Sequence, residues 1–376
     1  MRHFELFLSE VLTSPYYRAM DIFLDDITSL MLLRASAQND NLTFTPTDVT
    51  SPVPLGLSPV KLHRLGIPLL LSYLRVPEDR PLGLLVPSAR NRLRTRGIKC
   101  HVCHGLPASP TFLQLHGSLV DDSDTRVFVE PPEAIVLGMA KRLRRYEING
   151  TQTHQRSVLM LIKLCLELCG TFRHDPFQPH AGDVTYHAKP LTTTEQLAKL
   201  TEISSNDQGL RLVREAVPLA FDQSGSPQES FLGPALFYDE SLGGLRLCEF
   251  LANRELELSH EQRNAIGGRH ITPDFQLVGY SSVVEYLGAV HERGDNPRID
   301  HVRSLDYQTL GLREFCFNNA DVETQKVFME SAKRLASVIE QFDGPGVRRR
   351  FQRLLHDKRF AERQKTLFEV FRPWLR

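Results

Sequence analysis

The stretch Thr272-Pro273-Asp274-Phe275-Gln276-Leu277-Val278-Gly279-Tyr280-Ser281-Ser282-Val283-Val284-Glu285-Tyr286-Leu287-Gly288 decides how this chain is read. Two β-prone runs flank a turn at Gly279, which predicts a hairpin. Asp274 heads the first run and Glu285 lies inside the second. Side chains alternate along a strand, so Val284 and Tyr286 share one face and Glu285 points to the other. A carboxylate within so apolar a run is costly to bury unless it is paired or holds a metal. Two such carboxylates on neighbouring strands form an oxygen donor set of the kind Mg²⁺ takes. That is the layout of a metal-dependent phosphodiesterase.

Pro273-Asp274 followed by Glu285-Tyr286-Leu287 resembles the signature of the PD-(D/E)XK nuclease superfamily. Within it the chain is most similar to the branch containing the very-short-patch-repair endonuclease and related small bacterial nuclease domains. Ser226-Pro227-Gln228-Glu229-Ser230 resembles that branch's first helix, whose Glu faces the metal. His291 follows Glu285 at the distance where the branch often carries a His. Asp300-His301-Val302-Arg303-Ser304-Leu305, then Leu310-Gly311-Leu312-Arg313-Glu314-Phe315 leading to Asn318, resembles the branch's closing helix and strand.

The resemblance implies that Asp274 and Glu285 hold Mg²⁺ (or Mn²⁺), with Glu229 as a further ligand, direct or through water. It implies that His291 orients or deprotonates water, or protonates the leaving oxygen, and that Arg303 faces the scissile phosphate. One position departs from the pattern. Two residues after the Glu the superfamily usually has Lys, and this branch often Asp; here it is Leu287. Two expectations therefore stand side by side: an active endonuclease of defence or repair, and a catalytically inactive DNA-binding or regulatory protein of the same fold.

The 376 residues suffice for two or three domains with real cores. The formal net charge is zero, so affinity for nucleic acid must come from local basic patches. No apolar run approaches the roughly 18 residues of a membrane span, and no secretory signal is evident at Met1-Arg2-His3-Phe4-Glu5. Six cysteines in so long a chain do not form a disulfide framework. These features predict a cytoplasmic protein with no membrane association; the nuclease resemblance implies DNA as its partner, with a protein partner as the alternative.

The pattern gives a helical N-terminal segment and linker over 1–57, a mixed α/β region over 58–190 and a basic helical tail over 346–376, and the resemblance implies a restriction-endonuclease-like domain over 191–345. The fold class is α/β, with a mixed N-terminal region and a central mixed sheet in the C-terminal domain. Asp25 to Leu33 reads as a capped helix. Leu85-Val86-Pro87, His101-Val102, Val127-Phe128-Val129 and Pro132-Glu133 give the middle region a weak resemblance to the effector part of abortive-infection type antitoxins. The main boundary is expected in the Pro-rich loop between His174 and Pro190.

Two basic runs are candidate phosphate contacts: Arg90, Arg92, Arg94, Arg96 and Lys99 in the middle region, and Arg348, Arg349 and Arg350 in the tail. In the tail Phe351, Phe360 and Phe368 are interleaved at a spacing that suits packing against the domain. Cys100 and Cys103 form a half-site for zinc, but Cys165 and Cys169 fit the apolar face of a helix, so the cysteines read as core and strand residues. His174, His180 and His187 read as surface histidines.

Overall fold

Two parallel strands with one helix between them, joined to an antiparallel hairpin, make the sheet that carries the quoted stretch. The computed structural model describes residues 20–38, 42–53, 81–94, 97–103, 111–117, 125–204, 207–288, 296–343 and 346–372. The chain divides into two compact units. The first comprises Met1–Lys141, His174–Thr185 and Glu202–Ser205, and the second Arg142–Arg173, Tyr186–Thr201 and Asn206–Arg376.

In the first unit the elements are β1 (Met20–Phe23), α1 (Asp26–Ser36), β2 (Thr43–Pro46), β3 (Leu82–Val86), β4 (Ile98–Val102), β5 (Leu113–His116) and β6 (Thr125–Val129). They are followed by the start of α2 (Pro132–Ile148). One sheet has the order β1-β6-β5-β2, with β1 parallel to β6, and β3 and β4 form a separate parallel pair. Phe23 stacks on Phe128 at 4.6 Å and meets Phe112 edge-on at 5.0 Å, which seats the core on that sheet. Within the segment expected as helix and linker, β1 and β2 stand on either side of α1.

α1 starts where the sequence predicts. Asp25 is its N-cap, accepting from the Thr28 amide at 2.9 Å, and the Thr28 hydroxyl accepts from the Gly83 amide at 3.0 Å. Gly83 is glycine because the buried Asp25 carboxylate lies where a Cβ would stand, 2.0 Å from Cγ. Gly83→Ala is therefore expected to cost about 1–3 kcal/mol, because Asp25 is fixed by its cap bond and cannot swing aside. Chemical denaturation measures it, and a variant as stable as the parent would show that the carboxylate moves freely.

Strands β7 (Arg173–His174) and β8 (Val184–Thr185) pair in the loop between α3 (His154–Cys169) and α4 (Thr194–Ala198). His174 is buried, not on the surface as its loop position suggested, because it sits in β7; His180 and His187 are exposed. Arg173 is 1% exposed and donates to a set of backbone carbonyls. Its Nη1 donates to Glu167 at 2.7 Å and Gly170 at 3.0 Å, and Nη2 donates to Lys189 at 2.6 Å. A cation is favoured there by the carbonyl end of α3.

The second unit continues through α5 (Gln208–Ala216), α6 (Pro227–Phe237), β9 (Phe250–Ala252), α7 (His260–Ala265), β10 (Phe275–Leu277), β11 (Ser282–Leu287) and α8 (Asn296–Thr309). It ends with β12 (Arg313–Asn318), α9 (Asn319–Val322), α10 (Gln325–Asp343), α11 (Val347–Leu355) and α12 (Lys358–Phe371). The mixed sheet has the order β12-β11-β10-β9. β10 and β11 are the predicted antiparallel pair, with Phe275 opposite Val284, and β11 runs parallel to β12, with Glu285 opposite Cys316.

Two boundaries differ from the sequence reading. The units part first after Lys141, ahead of the loop that begins at His174, because α3 turns its apolar stripe of Val158, Ile162, Cys165 and Cys169 into the second unit, against α5 and α12; they part again at both ends of His174–Thr185, within the expected loop. Nor is the tail a separate segment. Phe351, Phe360, Phe368 and Phe371 are buried, and Phe231 of α6 touches Phe328 at 5.4 Å and Phe368 at 4.8 Å. The tail's apolar face completes the core of the second unit. Among the described residues no helix is long and apolar enough to cross a membrane.

Candidate functional site

The site is assembled by three elements that each deliver one carboxylate. Ser226 caps α6, accepting from the Glu229 amide at 3.1 Å, and Pro227 occupies the first turn, where its missing N–H costs nothing. That cap fixes Glu229 in the first turn, and its Oε2 accepts from the Gly225 amide at 2.7 Å. Asp274, half-buried at the head of β10, accepts from the Tyr286 amide of β11 at 2.6 Å. This bond ties the hairpin across its open end. Glu285 lies in the middle of β11 and is 1% exposed.

α8 supplies the groups that face Glu285. Arg303 Nη1 is 3.6 Å from Glu285 Oε2, and the Tyr307 hydroxyl donates to Glu285 Oε1. Arg303 and Tyr307 are four apart on one helix and so lie on the same face. The helix is held by Asp306, whose buried carboxylate accepts from Arg269 Nε at 2.8 Å. Tyr307 is fully buried, with Leu256, Ile266, Ile271 and Val283 packed in the same cluster.

Electrostatics bind the three acids into one site. Burial pushes Glu285 up to about 8, repulsion by Asp274 adds to it, and Arg303 and the Tyr307 hydroxyl oppose it. Glu229 rises to about 7, first by burial and further by the charge of Glu285, against the Gly225 amide, Ser226 and Arg303. Asp274 is held well above the usual carboxylate range by burial and then by Glu229, with the Tyr286 amide and Arg303 working against this. Each acid thus makes another harder to ionise, and one arginine serves all three.

Such a set gains if a cation joins it. Its donors are all carboxylate oxygens, the type that hard divalent ions take, and a bound ion would relieve the repulsion that keeps the protons on. Among the described residues no group of three His, Cys, Asp or Glu side chains is arranged to hold a metal ion as it stands. The donor chemistry fits; the coordination shell requires movement of these side chains or oxygens from elsewhere.

The sequence-predicted residues divide as follows. Glu229, Asp274, Glu285 and Arg303 come together. His291 lies outside the described residues, as does Arg96. Arg90, Arg92, Arg94 and Lys99 are exposed in the first unit, on and around β4, while Arg348 and Arg349 are exposed on α11. Arg350 is half-buried, and its Nη1 donates to the Arg246 carbonyl. Leu287 is half-buried at the end of β11, so the cation nearest Glu285 comes from α8 instead of from the strand.

Two groups at the site escaped the sequence reading. Tyr307 was legible in principle, since it follows Arg303 by four in one helical segment. Tyr186 carries no local signal. It is 41% exposed, and its phenol is raised by burial and by the charge of Glu229, which places it beside the acids from a loop far away in sequence.

Comparison with family models, with curated proteins and with solved structures finds no match for this chain.

Proposed function

We propose that the second unit is a divalent-metal-dependent phosphodiesterase acting on DNA, with a restriction-endonuclease-like core of the PD-(D/E)XK type. The observation that supports this reading most is the convergence of Glu229, Asp274 and Glu285, from α6, β10 and β11, against Arg303 of α8. A hairpin with two ordinary surface acids would not bury them together, because the cost of desolvating like charges opposes it.

In this reading Glu229, Asp274 and Glu285 would hold Mg²⁺ or Mn²⁺, which when bound neutralises charge developing on the phosphate. Arg303 is partly exposed beside Glu285 and can donate to a phosphate oxygen in a charge-assisted bond. Tyr307 fixes the rotamer of Glu285 by its hydroxyl bond. Glu229, centred near neutral pH in the metal-free protein, is suited to take up and return a proton. Arg303→Ala is expected to lower kcat by roughly 10²–10³-fold, and Arg303→Lys to restore part of it, since a point charge replaces a fork.

Cleavage of supercoiled plasmid with Mg²⁺ or Mn²⁺, with Asp274→Ala and Glu285→Ala in parallel, tests the proposal. The expected result is nicking or linearisation by the parent and none by either variant. Leu287 favours a second reading, an inactive nucleic-acid-binding regulator of the same fold. That reading predicts intact plasmid, a shifted band in a gel, and no dependence of the shift on the carboxylates.

A further inference from the structure

A groove of about 1000 Å³ follows the outer edge of the second unit's sheet, along β9. Phe221, Phe250 and Tyr280 line it, all partly exposed, and Arg246, Arg254 and Arg350 line it with them. The rings brace one another. Phe237 stacks on Phe250 with centroids 4.5 Å apart, and Phe221 meets Phe250 edge-on at 6.0 Å.

One backbone hydrogen bond links the groove's lining to the strand that carries Asp274. Asn253 lines the groove, and the Asn253 amide donates to the Asp274 carbonyl at 3.0 Å, so one end lies beside the head of β10. Two of the acids in the lining are already engaged. Asp222 accepts from the Thr194 amide at 2.8 Å and the Thr194 hydroxyl at 2.6 Å, while Asp239 accepts from the Ser241 amide at 2.9 Å and from Arg246 at 3.2 Å. Glu249 is the third, exposed near Phe250. At the other end Arg350 leads onto α11, where Arg348, Arg349 and Arg353 are exposed.

We infer that this groove binds single-stranded nucleic acid, leading one strand along β9 to the carboxylates; the inference rests on the nucleic-acid reading above. Arginines at intervals with aromatic faces between them are what an unpaired strand uses: phosphates meet the cations and bases stack on the rings. A duplex keeps its base faces stacked inside and has no use for such rings. Neither Arg254 nor Tyr280 belongs to the sequence-predicted set; Arg254 follows β9 and Tyr280 sits in the turn between β10 and β11.

Fluorescence anisotropy of a labelled oligothymidylate on the full chain in EDTA, against a duplex of equal length, tests it. Arg254→Glu and Tyr280→Ala are each expected to weaken single-strand binding, roughly five- to a hundredfold for the lost stacking partner. Arg254→Glu should also lower the salt dependence by about 0.7 in log K per log salt. Parent-like single-strand binding by both groove variants, with unchanged thermal melts, overturns the groove. So does tighter binding of the duplex through the same residues, or no single-strand binding by the parent. None of these three results touches the carboxylate site, whose failure is read separately from plasmid cleavage.

Discussion

Glu285→Gln is expected to abolish metal-dependent cleavage and, in the metal-free protein in mild alkali, to raise the melting temperature. The two effects have opposite signs because the same charge serves function and opposes folding. For cleavage, losing a buried ligand and the partner of Arg303 should cost at least about 10³-fold in rate, or roughly 4 kcal/mol of barrier. For stability, the carboxyl has its folded pKa pushed up to about 8 by burial and by Asp274, from an ordinary 4.5.

A carboxylic acid raised on folding contributes most below its unfolded pKa. Its contribution falls as pH rises towards the folded value and levels off above it. Each tenfold change in proton affinity is about 1.4 kcal/mol, so the metal-free parent should lose several kcal/mol between about pH 4.5 and pH 8 from this group. Gln keeps an oxygen for the Tyr307 hydroxyl and carries no charge, so the variant should lose less over the same range. Thermal melts of both proteins in EDTA across that range measure it. A variant that melts lower than the parent at every pH would mean that Arg303 depends on the carboxylate more than the carboxylate suffers from burial.

The second large effect is stabilisation by the ion itself. In the parent near pH 8, Mg²⁺ or Mn²⁺ at about 100 times its dissociation constant should add about 2.7 kcal/mol. For a folding unit of this size that is a rise of roughly 5–10 °C. The gain should vanish in Asp274→Asn, and it should shrink as pH falls through about 7 to 8, where Glu229 and Glu285 take up their protons and compete with the ion. A rise that is equal at acid and alkaline pH, or equal in Asp274→Asn, would place the ion elsewhere.

How much of this the sequence discloses varies with how local the cause is. The hairpin is legible because Gly279, with φ of 80°, turns the chain between two β-prone runs, and Glu285 stands out because Val283, Val284 and Tyr286 surround it. The α6 start is legible in Ser226-Pro227 with Glu229 three residues after the cap. β9 is not, for Phe250-Leu251-Ala252 is too short to show a period, and its strand character comes from pairing with β10. β1 is four residues just before α1, and on sequence alone its apolar residues merge into the helical pattern. The unit boundary is hidden for another reason. His174–Thr185 and Glu202–Ser205 return to the first unit from inside the second, and no local composition encodes a return.

The cation at the site shows the same limit. Two residues after Glu285 the strand carries the apolar Leu287. The three-dimensional arrangement supplies Arg303, eighteen residues after Glu285 in the chain and 3.6 Å away from it. Spacing on α8 lines Arg303 up with Tyr307, but only the packing of α8 over β11 brings both to the carboxylate.

The central claim is that Glu229, Asp274 and Glu285 form one divalent-cation site. Isothermal titration of Mn²⁺ into the parent, Asp274→Asn and Glu285→Gln near pH 8, where the carboxyls have begun to ionise, measures this most directly. Saturable binding by the parent that both substitutions remove is the expected result. Equal binding in all three proteins, or no binding by the parent, would contradict it.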